Sequence, residues 1–106
     1  MQKYFREPQG GRAVTTHETQ ITFYWRPGCG FCMALERQLQ VAGVEMMFRN
    51  IWEDPDAAAF VRNCAAGNEI VPTVEVGGAV MVNPTSDEVM SAIATHQAAQ
   101  LSGETS

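Results

Sequence analysis

Two cysteines separated by two residues, Cys29 and Cys32, are the side chains of this sequence best suited to chemistry. They follow an apolar run, Ile21–Trp25, and lie where a helical pattern begins. Residues three apart share one face of a helix, which places two thiols within reach of a disulfide bond. A helix start stabilises negative charge, so we expect Cys29 to be an exposed thiolate that attacks disulfides. Cys32, one turn further in, is expected to be more buried and to resolve the adduct on Cys29 by closing a disulfide.

The composition limits the class of partner. The 106 residues are 45% hydrophobic and 18% charged, which is enough for one small domain with its own core. A net charge of -5 with only seven Lys and Arg disfavours nucleic acid and anionic membrane surfaces, since both need clustered positive charge. We find no apolar run of membrane-spanning length and no signal-peptide stretch. The sequence therefore predicts a cytoplasmic monomer whose partners are small thiols or oxidised proteins.

A βαβαββα order of elements must position the two cysteines. Residues 1–19 show no sustained periodicity and are expected to form a flexible leader, and residues 98–106 a polar tail, which leaves 20–97 as the domain. Gly43 is expected to end the first helix, Asp54 to cap the second, and Thr85 with Glu88 to form a capping box on the last. This order predicts an α/β fold in which a mixed four-stranded sheet carries three helices. The expected strands cover 20–25, 44–51, 74–76 and 79–82, and the expected helices cover 30–42, 54–67 and 85–97.

Three linked segments carry a resemblance to a known family. Trp25 lies in the strand before the Cys-Gly-Phe-Cys motif, a Val-Pro-Thr segment places Pro72 40 residues beyond Cys32, and residues 82–89 read Val-Asn-Pro-Thr-Ser-Asp-Glu-Val. Together they resemble the thioredoxin-like fold and, within it, the glutaredoxin family, with most similarity to mycoredoxins. The resemblance implies that the bond before Pro72 is cis and that the backbone at Val71 pairs with an extended substrate.

The resemblance also implies a co-substrate. Glutathione-using glutaredoxins usually have a Gly-Gly-x-Asp turn before the last helix, whose N-terminus holds a substrate carboxylate. This chain has an Asn-Pro-Thr-Ser-Asp stretch there, as mycoredoxins do, so mycothiol is favoured over glutathione. No tightly bound cofactor is implied, and reducing equivalents are expected from NADPH through a separate reductase. The expected substrate contacts, besides Val71 and Pro72, are Arg26, Phe31, Thr85, Ser86 and Asp87.

Two other functions stay open on the sequence alone. One is a glutaredoxin-like electron donor recharged by thioredoxin reductase, although the Trp-Ser-Gly-Phe stretch usual in those proteins is missing. The other is an iron–sulfur cluster carrier that uses Cys29, since the motif resembles Cys-Gly-Phe-Ser and Gly30 leaves space beside the sulfur. A zinc site is disfavoured because the further cysteine and histidines are scattered. Cys64 is expected to be a small core residue, and Trp52 to be part of the core or surface cover rather than a binding platform.

Overall fold

The protein follows the predicted order of elements. Its structure, a computed structural model, describes residues 19–105 and the side chains of residues 19–99. The predicted leader lies outside the described residues except for Thr19, which is buried. The elements are β1 (Ile21–Trp25), α1 (Gly30–Val41), β2 (Met47–Asn50), α2 (Pro55–Cys64), β3 (Thr73–Val76), β4 (Ala79–Val82) and α3 (Ser86–Thr105).

The sheet is mixed, as predicted, with the strand order β2-β1-β3-β4. Strand β1 runs parallel to β2 and antiparallel to β3, and β4 pairs antiparallel with β3. Tyr24, near the end of β1, pairs with Thr73, the first residue of β3. The loop that follows β1 and the segment that precedes β3 therefore meet at the same edge of the sheet.

The helices cover both faces of the sheet. On one face α1 and α3 enclose the larger core cluster, and on the other face α2 packs against the buried side chains of Tyr24 and Ile51. The central strands alternate between the two faces, as the pleat of a strand requires. The larger cluster consists of Ile21, Phe23, Cys29, Cys32, Leu35, Leu39, Val44, Val74, Val76, Val89 and Ile93.

The turn that ends α1 explains why β2 is shorter than predicted. Gly43, at a φ of +83°, is the residue just beyond the helix, as predicted. Its N–H donates to Gln40 O at 3.0 Å and the N–H of Val44 donates to Leu39 O at 3.0 Å, which is the Schellman arrangement. Val44 is thereby held in the helix cap, so the strand begins at Met47 rather than at residue 44.

Helix α3 is longer than predicted. It runs to Thr105, so residues 98–105 are helical rather than an irregular tail. The prediction rested on the polarity of this segment and ignored its Ala and Gln residues, which favour helix even where no apolar face exists. Val89 and Ile93 are buried as expected, whereas Met90 is exposed. None of the helices within the described residues combines the length and the apolar character needed to cross a membrane.

Candidate active site

The loop between β1 and α1 places Cys29 at the start of the helix. Gly28 takes a φ of +75°, a left-handed conformation that favours glycine, and turns the chain into the extended Cys29. Cys29 is the N-cap of α1, and its Sγ accepts a hydrogen bond from the backbone N–H of Cys32 at 3.1 Å. A sulfur thus occupies the position where serine or aspartate usually caps a helix. Negative charge on this sulfur is stabilised by the amide and by the helix dipole.

The Cys29 sulfur also lies against the segment that precedes β3. Its Sγ donates a proton to the carbonyl oxygen of Val71 at 3.8 Å. Cys29 is only 5% exposed, so the expectation of an exposed nucleophile was wrong. The physical reason is that capping folds the side chain back over the first turn of α1, where Val71 covers it. Ionisation of the thiol removes the donated proton and so breaks the contact with Val71.

Cys32 has a different environment, although it lies one turn away on the same helix. It is 3% exposed and belongs to the core cluster. Burial raises the pKa of the Cys32 thiol to about 12, and the neighbouring Cys29 sulfur adds to the increase. The backbone N–H and the positive charge of Arg26 oppose this increase in part. Cys32 is therefore a neutral thiol at physiological pH, and the described cysteines are free rather than disulfide-bonded.

The segment at Pro72 is as the sequence implied. The Val71–Pro72 peptide bond is cis, and Pro72 is buried while Val71 is partly exposed. The carbonyl of Pro72 accepts from the N–H of Asn83 at 2.8 Å, which joins this segment to the loop before α3. The start of α1 and the cis-proline segment thus meet at the Cys29 sulfur, and the approach to α3 is joined to them through Pro72.

The start of α3 forms the predicted capping box. Thr85 Oγ1 accepts from the N–H of Glu88 at 3.1 Å, and the N–H of Thr85 donates to Glu88 Oε1 at 2.8 Å. The backbone N–H and the hydroxyl group of Thr85 are therefore both hydrogen-bonded within the protein. Ser86 and Asp87 form the first turn, where Asp87 and Glu88 place two carboxylates. This first turn therefore carries two carboxylates, and the N–H of Thr85 is not free to bind a substrate carboxylate.

Arg26 and Trp52 form a contact that the sequence reasoning missed. The Arg26 Cζ lies 5.8 Å from the centroid of the Trp52 ring, a cation–π arrangement. Trp52 is 63% exposed and therefore lies on the surface rather than in the core. Its position directly after a parallel strand that neighbours β1 was the signal available in the sequence. Phe31, another expected contact, projects into solvent and is 75% exposed.

The remaining candidates do not join this site. Cys64 is half-buried on α2, on the opposite face of the sheet from α1, and contributes nothing to the sulfur pair. In the part of the chain that the structure describes, no three His, Cys, Asp or Glu side chains come together as metal ligands.

Comparisons with known proteins agree with this geometry. The Glutaredoxin family model matches residues 21–81. Two Mycobacterium tuberculosis proteins assigned to the glutaredoxins, from strains CDC 1551 and H37Rv, are each 34% identical to this chain over 70 residues, or 65% of this chain and 83% of theirs.

Solved structures at lower identity show the same fold. The thioredoxin-like protein BC3987 has a TM-score of 0.61 at 19% identity, over 69% of this chain and 99% of its own. A glutaredoxin from Archaeoglobus fulgidus has a TM-score of 0.56 at 18% identity, over 79% of this chain and 98% of its own. These likenesses confirm the thioredoxin-like fold. Because the family model spans more than half of the chain and includes both cysteines at the start of α1, the protein belongs to the glutaredoxin family and is a thiol–disulfide oxidoreductase.

Proposed function

We propose that the protein reduces mixed disulfides between proteins and mycothiol, with Cys29 as nucleophile and Cys32 as resolving cysteine. The observation that carries this proposal is the different environment of the two sulfurs. The Cys29 sulfur accepts an amide N–H at a helix start, whereas burial raises the pKa of Cys32 to about 12. A sulfur that accepts an amide at a helix start is the better placed of the two to attack disulfides.

In the first step, the Cys29 thiolate attacks the mycothiol sulfur of a protein–mycothiol disulfide. The bond between the two substrate sulfurs breaks, the client protein leaves as a thiolate that takes up a proton, and a Cys29–mycothiol disulfide forms. In the second step, the thiolate of another mycothiol attacks the bound mycothiol sulfur. This releases mycothiol disulfide, made of the substrate's mycothiol and the attacking one, and regenerates the Cys29 thiolate, so one free mycothiol is oxidised for each client thiol released.

Cys32 offers a second route, in which its sulfur attacks Cys29 and closes an intramolecular disulfide. That attack needs the thiolate of Cys32, and a pKa of about 12 makes this form scarce at neutral pH. The route through a second mycothiol is therefore favoured for mixed disulfides, and the dithiol route serves disulfides within or between client proteins. In this proposal the protein works in the cytoplasm as a monomer without a tightly bound cofactor, and a separate NADPH-dependent reductase regenerates mycothiol.

The charges near the site support mycothiol over glutathione. Glutathione carries two carboxylates, whereas mycothiol, in which N-acetylcysteine is linked to glucosamine and inositol, carries none. The first turn of α3 holds Asp87 and Glu88, and the N–H of Thr85 is already bound to Glu88. Gly30 provides room, since a Cβ added there would meet no atom within 4 Å. A bulky neutral adduct on Cys29 is thus better matched than an anionic one.

Steady-state kinetics on two mixed disulfides of one cysteine peptide, one with mycothiol and one with glutathione, test this proposal. We expect kcat/KM to be at least roughly tenfold higher for the mycothiol substrate, a difference of ~1.4 kcal/mol. Cys29→Ser, the control, should be inactive on both. Equal or better turnover of the glutathione substrate would overturn the proposal. Direct reduction by thioredoxin reductase without a small thiol, or a visible iron–sulfur spectrum after anaerobic reconstitution, would favour one of the two other functions.

A further inference from the structure

Trp52 is a large aromatic residue on a hydrogen-bonded turn, with most of its surface in water. The backbone N–H of Trp52 donates to Asn50 Oδ1 at 2.9 Å, and the N–H of Glu53 donates to Asn50 O at 3.1 Å. The preceding residue, Ile51, is buried, and its N–H donates to Trp25 O at 2.9 Å. The turn that carries Trp52 is therefore anchored to the sheet, while 63% of the residue remains exposed. An exposed indole on an anchored turn is typical of a binding surface.

Arg26 connects this ring with the reacting sulfurs. Its guanidinium lies 5.8 Å from the Trp52 ring centroid and donates to Pro27 O at 3.2 Å. The backbone N–H and the charge of the same residue act on the Cys32 sulfur. Arg26 follows β1 directly and Trp52 follows β2 closely, and these parallel neighbours end at the same edge of the sheet. The ring and the guanidinium thus lie at the edge of the sheet that holds the two sulfurs.

We propose that Trp52 and Arg26 form a platform that binds a neutral sugar-type ring on the small thiol attached to Cys29. This proposal rests on the proposed function, because such a ring is present in mycothiol and absent from glutathione. An indole face packs against the C–H face of a saccharide, and a guanidinium donates hydrogen bonds to its hydroxyl groups. A carboxylate such as that of Glu53, the next residue, can only accept, which suits hydroxyl groups and repels anions.

The test uses two small substrates that share the same reacting end. They are mixed disulfides of one cysteine peptide with mycothiol and with N-acetylcysteine, which lacks the sugar. Trp52→Ala should lower kcat/KM for the mycothiol substrate by about tenfold through KM, as expected when stacking on an aromatic ring is lost. The N-acetylcysteine substrate should change by less than about twofold. Trp52→Phe, which keeps an aromatic face, should restore most of the loss.

Val41→Ala provides a matched control, because Val41 is 83% exposed at the far end of α1 and should affect neither substrate. Circular dichroism and thermal unfolding check that the Trp52 variants fold. Equal losses on both substrates would overturn the platform and give Trp52 a structural role. A loss confined to mycothiolated client proteins, with none on the small substrate, would overturn it in favour of a client-docking surface. If the wild type prefers mycothiol over glutathione and Trp52→Ala turns over the mycothiol substrate as well as the wild type does, the platform fails while the proposed function stands. If the wild type shows no such preference, both fail.

Discussion

Replacing Cys29 and Cys64 with serine leaves Cys32 as the single cysteine of the chain, and we expect its reactivity at neutral pH to be very low. With a pKa of about 12, roughly 10⁻⁵ of the Cys32 thiol is ionised at pH 7, against roughly 10⁻² for a thiol at the ordinary pKa of 9.0. The reactive fraction is thus lowered about a thousandfold. Part of the increase comes from the Cys29 sulfur, which serine removes. Burial, the largest cause, remains in the variant, so the pKa of Cys32 should stay raised and the ionised fraction should stay low.

Alkylation by iodoacetamide, followed by intact mass, measures this reactivity. Because the pKa is raised, the rate should increase about tenfold per pH unit up to roughly pH 10 without a plateau. The same variant unfolded in urea supplies the rate of an ordinary cysteine. The matched variant keeps Cys29 and replaces the other two cysteines with serine. Its N-cap hydrogen bond comes from a backbone N–H and survives, so Cys29 should react faster at pH 7 than native Cys32 does. Alkylation of native Cys32 at pH 7 as fast as in urea would refute the assigned asymmetry of the two sulfurs.

Three further outcomes are expected. Cys32→Ser should retain turnover of mixed disulfides and accumulate a Cys29–mycothiol adduct, detectable by intact mass; loss of both activity and adduct would contradict the monothiol route. Gly77→Ala should lower the free energy of unfolding by at least ~1 kcal/mol in a urea titration. Gly77 has a φ of +53°, and a Cβ added there would overlap the His96 ring. Unchanged stability would show that His96 moves away freely. Thr85→Ala should cost about 1 kcal/mol in the same titration because α3 loses its side-chain cap, and Thr85→Ser should restore most of it.

Local sequence signals predicted the parts of the site that depend on residue type. The capping box at Thr85 and the glycine cap at Gly43 each follow from a short motif with one preferred backbone conformation, whereas the cis bond at Pro72 was implied by the family resemblance. The pairing of Tyr24 with Thr73 follows from the order of elements, since it brings the cysteine loop and the cis-proline segment to one edge. Motif and topology were therefore enough to assemble the sulfurs with Val71.

Features that depend on tertiary packing could not be read from the sequence. The burial of Cys29 arises because Val71 lies over a sulfur that caps its own helix, and neither contact has a sequence signature. The contact between Arg26 and Trp52 also has no sequence signature, because it joins two loops that follow different strands. The length of α3 was missed because polarity was given more weight than helix propensity.

The sulfur cap on α1 has a consequence for how the catalytic cycle closes. A charged cap interacts more strongly with the amides and dipole of a helix start than a neutral cap does. Forming a disulfide on Cys29 removes that charge, and releasing the adduct restores it. Helix α1 therefore supplies part of the driving force for discharge, and its own stability rises when the enzyme is set free. The helix start therefore biases the protein toward the state with no adduct on Cys29, which is ready for the next substrate.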